Sequence, residues 1–426
     1  MTTVRTHQQS ISIPPDRAAT SFADLPFESA AVAVLGRLQS AITALLRAAP
    51  GPTSKCTDIE ETLDIDPKLS WQVFRIATVS NPLVAGISVP VRAAMRRFLK
   101  AAAKLEIPSE LVAQVSTAFD EYEAFIQTHA GDREELDAMI RAFLPQEREK
   151  SDLANRQAAF KVMSQFKGAA KEAEVSAYFL FPSEDGKSVD RVLLVADLGL
   201  RRLRPGAVIG FATMSASGAQ GATRTLDGQP SEGRQSVLLP QFCSDPMLRF
   251  EVYKTEDTTS YWVAGADVGL RTSVNLVSAE HRPNAMKRYR EPTRGSNKTT
   301  GFFAAPNTPS KRSVVDMFIH KDIYPDCIPT LSVYDVVPQG VIRVIDDPLR
   351  AHDRIQTAES IRQLGRGLAN ADLANVPRYL EMVQHVYSKL GLDATDFRGF
   401  RLDLQYPICG AQYVIALDLP EMPSGA

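Results

Sequence analysis

"FKVMSQFKGAAKEAEVSAYFLFPSEDGKSVDRVLLVADLGL", residues 160–200, holds the change that decides the fold. Up to about Phe166 the apolar residues recur at helical spacing. From Ala173 the pattern is strand-like, in runs such as "VSAYFLF" and "VDRVLLVADLGL" that are rich in β-branched and aromatic residues and separated by Pro, Asp and Gly. The chain is therefore expected to be α+β and multidomain. An all-helical domain over residues 26–170 follows a polar, flexible arm (1–25) and precedes a sheet-rich mixed domain (171–426).

Downstream of the switch, "GAVIGFAT", "QSVLLPQF", "LRFEVYK", "TSYWVAG", "TSVNLVS", "RSVVDMFIHK", "PTLSVYDVV" and "GVIRVID" read as strands. Helices are expected at "RIQTAESIRQLGRGL" and "VPRYLEMVQHVYSKLG". In "FRGFRLDLQYPICGAQYVIALDLP" two strand candidates flank a Pro/Cys/Gly turn, and they should form a hairpin or pair with neighbouring strands. Upstream, "ESAAVAVLGRLQSAITALLRAA" places Leu35, Leu38, Ile42, Leu45 and Leu46 on one stripe. Further helices are expected at about 90–105, 109–128, 133–143 and 148–167, with prolines marking starts or breaks. No internal repeat and no regular βαβ alternation is present.

At 426 residues and 44% hydrophobic content, the chain can build more than one core. The four cysteines, Cys56, Cys243, Cys327 and Cys409, form neither a disulfide framework nor a zinc-ligand spacing. No stretch reads as a membrane helix or a secretory signal, so a cytoplasmic location without membrane association is expected. Net charge is −2, so any nucleic-acid surface must concentrate its cations locally.

Residues 56–78, "CTDIEETLDIDPKLSWQVFRIAT", resemble a helix-turn-helix. Ile59 and Leu63 share a face of a short first helix, Ile65 lies in the turn, and Asp66 followed by Pro67 is an N-cap pattern. On the second helix Leu69, Val73, Ile76 and Ala77 form an inward arc. Lys68, Gln72 and Arg75 lie outward, with chemistry suited to base edges and phosphates, and Ser70 is a candidate phosphate contact. The opposing reading is a packing helix. Asp64 and Asp66 would repel phosphate if they faced a duplex, and Trp71 and Phe74 widen the apolar surface.

The next segment, "VPVRAAMRRFLKAAAKLEIP", spaces Arg92, Arg96, Lys100 and Lys104 four apart, with Arg97 nearby and no acid from 91 to 105. That spacing makes a basic ridge for a polyanion. Asp120, Glu121 and Glu123 of the following helix offer an intramolecular alternative, and an anionic lipid surface is a third. Within residues 281–312 a basic loop collects Arg282, Lys287, Arg288, Arg290, Arg294, Lys298, Lys311 and Arg312 against Glu291 alone. Tyr289, Phe302 and Phe303 in that loop suit base stacking or anchoring.

The case for an enzyme rests on "VIRVIDDPLRAHDR", where Asp346, Asp347, His352 and Asp353 fall within eight residues and could ligate a metal. The same residues serve equally well as turn and cap chemistry. No GxSxG, HExxH or GxGxxG motif is present, and no catalytic residue, metal or cofactor is assigned. The leading expectation is a double-stranded DNA-binding regulator, homo-oligomeric, with a C-terminal sensing or oligomerisation domain whose small-molecule effector is left open. A metal-dependent hydrolase and a non-catalytic assembly protein are the alternatives.

Overall fold

In the computed structural model the described residues are 25–215, 223–245, 249–255, 258–265, 267–290, 298–342, 344–345 and 347–422. The N-terminal arm up to residue 24, Glu291, Arg294 and Asp346 lie outside them. The chain divides into two compact units, Met1–Ser151 and Asp152–Ala426.

In the first unit the described residues form helices α1 (Phe27–Arg47), α2 (Cys56–Leu63), α3 (Pro67–Thr78), α4 (Pro82–Ile87), α5 (Arg92–Ala102), α6 (Ser109–His129) and α7 (Arg133–Ala142). Helix α8 (Pro145–Lys167) crosses the division. Prolines open α3, α4 and α8, where a missing backbone N–H costs nothing. The core is one cluster in which Leu35, Leu38, Ile42 and Leu45 of α1 meet Ile59, Val73, Ile76, Met95, Phe98 and Tyr122. Gly86 of α4 permits close approach there, since an added Cβ would lie 2.6 Å from Leu35 Cδ1. By length and composition α1 is apolar enough to cross a membrane, contrary to the expectation that no stretch is, and eight of its residues are buried in this core.

The second unit is built on strands. A seven-stranded sheet runs in the order β1 (Ala169–Ala170), β3 (Ser188–Arg202), β2 (Ala173–Pro182), β9 (Arg312–His320), β13 (Phe397–Gln405), β12 (Arg362–Arg366), with β7 (Val274–Lys287) also paired to β3. All its pairings are antiparallel except β2 with β9. A four-stranded sheet has the order β11 (Arg354–Ile355), β10 (Thr330–Asp335), β14 (Ala411–Asp418), β8 (Thr299–Ala304). A third sheet joins β4 (Gly210–Ser215), β6 (Thr258–Val263) and β5 (Phe250–Lys254).

Period-2 alternation gives the large sheet two buried faces. Val175, Ala177, Phe179, Val314 and Phe318 pack under helix α9 (Tyr379–Leu390) through Met382, Val383, Val386 and Tyr387. The alternate residues Tyr178, Leu180, Val315, Met317 and Leu402 meet Phe302, Tyr413 and Ile415 of the four-stranded sheet. Between the large sheet and α9, Arg401 and Asp316 stand opposite in register and pair at 2.7–2.8 Å. Arg401 also donates to the carbonyls of Ala371 and Asp372, so the pair is hydrogen-bonded rather than merely buried.

Several elements differ from the sequence expectation. "QSVLLPQF" forms two 3-10 turns, Arg234–Val237 and Pro240–Phe242, and between them the Leu239 N–H donates to the Val277 carbonyl of β7. The described residues of "GVIRVID" hold no strand. Buried Gln412 binds both the N–H and the carbonyl of Ile342, taking the place of a ladder partner. "RIQTAESIRQLGRGL" is extended as β11 and β12 rather than helical, with Gly365 at φ +84 and a register shift beside it. The last two strands, β13 and β14, do not pair with each other. Although consecutive in the chain, they take inner positions in different sheets.

Candidate nucleic-acid interface

Helix α2 ends at Asp64, which takes the left-handed conformation at φ 51. Asp66 then starts α3, its Oδ1 accepting the Leu69 N–H at 3.0 Å. Leu69, Val73 and Ile76 are buried, and Gln39 of α1 donates to the carbonyls of Ile76 and Val79, closing the far end of α3. Lys68 and Trp71 are exposed, while Gln72 and Arg75 are half-buried. The Arg75 guanidinium lies 5.3 Å from the Trp71 ring centroid, a cation–π stack on a tryptophan that is 47% exposed.

Ser70 is not on this surface. It is fully buried, and its hydroxyl donates to the Cys56 carbonyl at the start of α2. It shares the inward stripe of Val73 and Ala77, three and seven residues on, and its oxygen is consumed in joining the two helices.

The ridge forms, with two qualifications. Helix α5 ends at Ala102, so Lys104 projects from the following turn. Two arginines are already engaged: Arg92 pairs with Glu123 of α6 at 2.9 Å, and Arg97 pairs with Asp66 at 3.1 Å. Asp64 and Asp66 do not turn away from the ridge. They line one small cavity, about 240 Å³, together with Arg97, Lys100 and Lys104. Both oxygens of Asp66 are hydrogen-bonded, one by the cap and one by Arg97, and Asp64 is exposed beside it. Lys68, Arg75, Arg96, Lys100 and Lys104 have no acidic partner among the described residues.

The basic segment 281–312 is not one free loop. Its first residues continue β7 and residues 299–304 form β8. Arg282 approaches Glu280, and the Lys287 carbonyl accepts from Tyr324. Arg288 donates to the carbonyls of Gly186 and Asp322, and the Arg290 backbone N–H donates to Pro420. Lys311 pairs with Glu172, and Arg312 grips Asp403 with two hydrogen bonds of 2.7 and 2.8 Å. Lys298 is exposed. Phe302 is buried with its ring centroid 4.1 Å from that of Tyr178, and so is closed to a base.

The proposed ligands near residue 350 are otherwise employed. Asp347 caps the 3-10 turn Pro348–Asp353 through the Leu349 N–H, and buried Asp353 pairs with Arg350 at 2.5 Å. Asp353 thus closes its own turn, and no helix begins at Arg354. His352 is exposed. No group of three or more His, Cys, Asp or Glu side chains that could hold a metal occurs among the described residues.

No known protein family matches the chain. No curated protein matches it either. Among solved structures, a candidate protease from Parabacteroides distasonis aligns at 8% identity over 59% of this chain, with TM-score 0.24. The M1 zinc metallopeptidase from Deinococcus radiodurans aligns at 6% identity over 58%, with TM-score 0.22. The chain covers 41% and 42% of those proteins' own lengths, and likeness at this level carries no argument about fold or activity.

Proposed function

We propose that the helical unit binds double-stranded DNA, with α2 and α3 acting as a helix-turn-helix and α5 as a phosphate-contacting flank. The observation that supports this reading is the set of five cations, Lys68, Arg75, Arg96, Lys100 and Lys104, without acidic partners among the described residues, while Asp66 beside them is paired with Arg97 and hydrogen-bonded at the helix cap. Arg96, Lys100 and Lys104 would contact phosphates and fix position. Lys68, Gln72 and Arg75 would meet base edges, with the Arg75 guanidinium placed over the Trp71 ring. The sheet-rich unit is proposed to sense or to assemble subunits, because two-fold pairing would present two such surfaces to half-sites a helical turn apart.

Fluorescence anisotropy with duplex DNA over a range of salt tests the reading. Replacing Arg96, Lys100 and Lys104 together by alanine should weaken binding to all sequences and reduce the slope of log affinity against log salt by about three. An unchanged slope in a folded triple variant removes α5 from the interface.

A further inference from the structure

Period-2 alternation divides the three-stranded sheet into two faces. Val263 and Phe250 turn toward a small apolar cluster with Leu200, Ile209 and Leu276. The register of β4, β6 and β5 sets Gly210 and Glu251 on either side of Trp262, and Tyr253, two residues along from Glu251, shares their face. That face walls a cavity of about 500 Å³, which Arg202, the last residue of β3, also lines. Small-molecule sites usually occupy about 300–1,000 Å³.

Arg202 is a buried cation, 9% exposed, and forms no ion pair among the described residues. Its Nε donates to the Ala207 carbonyl at 3.0 Å, and one terminal nitrogen, Nη2, donates to the Val263 carbonyl. The other terminal nitrogen, Nη1, has no hydrogen-bond partner among the described residues, and a Cβ added at Gly265 of the cavity wall would lie 3.8 Å from it. Buried arginines are ordinarily paired, so one with a nitrogen left over beside a cavity marks a place for an acceptor. Burial holds Arg202 below its ordinary pKa, with Glu251 and then Asp267 opposing through space rather than by contact.

Glu251 is the other charged residue of the cavity wall among the described residues. Its Oε2 accepts from the Tyr253 hydroxyl at 3.0 Å, and its Oε1 has no partner among them. The wall is aromatic as well as charged. Trp262 is half-buried and Tyr253 is 58% exposed. An added Cβ at Gly210 would lie 3.3 Å from the Trp262 ring, so glycine there lets the indole lie against the sheet.

We infer that this cavity binds an α-amino acid with an aromatic side chain, its carboxylate on Arg202, its ammonium on Glu251 and its ring against Trp262. The two charges select the ligand. A simple carboxylate would be drawn to Arg202 and repelled by Glu251, and a simple amine would be drawn to Glu251 and repelled by Arg202. A zwitterion brings an acceptor to one and a donor to the other. The rings of Trp262 and Tyr253 favour an aromatic side chain over an aliphatic one carrying the same charges. The site lies within the sheet-rich unit and shares no residue with α3 or α5, so it stands apart from the DNA reading.

Calorimetric titration of the full chain, without DNA and at fixed ionic strength, tests the site with L-phenylalanine. Its analogues divide the ligand into parts: phenylpropanoate lacks the ammonium, phenethylamine lacks the carboxylate, and L-alanine lacks the ring. L-Phenylalanine should bind with one site per chain, and each analogue should bind about tenfold more weakly or worse. Glu251→Gln should weaken L-phenylalanine by about tenfold and tighten phenylpropanoate, because the repelling charge is gone. Arg202→Met should weaken L-phenylalanine by about tenfold or more and tighten phenethylamine. Glu251 is exposed, so Glu251→Gln decides the matter should Arg202→Met fail to fold. The inference is overturned by no binding of L-phenylalanine, by any analogue binding as tightly, or by affinities for L-phenylalanine and phenylpropanoate that are unchanged in folded Glu251→Gln.

Discussion

Asp190 shows how one side chain can set a local geometry. It accepts from Ser183 and from the Asn284 N–H, and lies 2.9 Å from His281 Nε2. Burial alone would push its carboxyl up, but these hydrogen bonds outweigh burial and hold it below its ordinary value. A lowered carboxylate contributes stability that is full above its unfolded pKa, about 3.9, and is lost as pH falls through the folded value. Urea unfolding of Asp190→Asn should therefore show a flatter decline in stability below about pH 4 than the wild type. Ser70 gives a second residue-scale test. Ser70→Ala removes the hydroxyl that joins α3 to the Cys56 carbonyl and should cost about 1 kcal/mol in denaturant unfolding, with DNA affinity at saturating folded fraction unchanged. The sequence contained this answer, because Ser70 shares its helical phase with Val73 and Ala77. Reading the residue by its hydroxyl rather than by its phase put it on the wrong side. Asp66 was legible for the opposite reason: a cap followed by proline is a local signal that needs no tertiary knowledge.

Helix α3 has two faces that should fail in different ways. Val73→Ala and Ile76→Ala open cavities at positions 0% and 1% exposed, and each should lower stability by roughly 1–5 kcal/mol. Gln72→Ala with Arg75→Ala removes the outward pair and should leave unfolding nearly unchanged, while reducing preference for a selected DNA target by about 1–3 kcal/mol per base contact. A double variant that loses target preference only by unfolding would make α3 a packing helix. Most helices were legible because caps, prolines and the 3.6-residue period are local. Elements that depend on distant partners were not. "QSVLLPQF" has strand composition but is divided by Pro240, and its one ladder contact is with β7, some forty residues on. "RIQTAESIRQLGRGL" has enough apolar spacing for a helix, yet Gly365 takes a left-handed conformation and β13 supplies a ladder.

At the scale of the whole molecule, each unit has apolar clusters of its own among the described residues. One contains buried residues from Ala30 to Leu144, and the others begin at Ala169. Scanning calorimetry should accordingly resolve two transitions, with Ile76→Ala lowering the one that belongs to the helical unit and leaving the other in place. A single transition that moves as one would contradict this independence. The same scale explains why segment 281–312 misled. Its cations are conspicuous in sequence, whereas two of the acids that answer them, Glu172 and Asp403, are 139 and 91 residues away from their partners Lys311 and Arg312 and meet them only through sheet topology. The positions of β13 and β14 also bear on how the protein is made. A ribosome delivers residues 397–418 after every other described strand, yet these two strands fill inner places in two sheets. Until they emerge, β9 and β10 each lack a partner along one edge, and Phe302 and Met317 lack part of their cover. The helical unit can close early on nearby contacts, while the nascent sheet-rich unit must wait with open edges. Slow synthesis through this region therefore favours aggregation, and a chaperone that shields strand edges should raise yield most for this half of the chain.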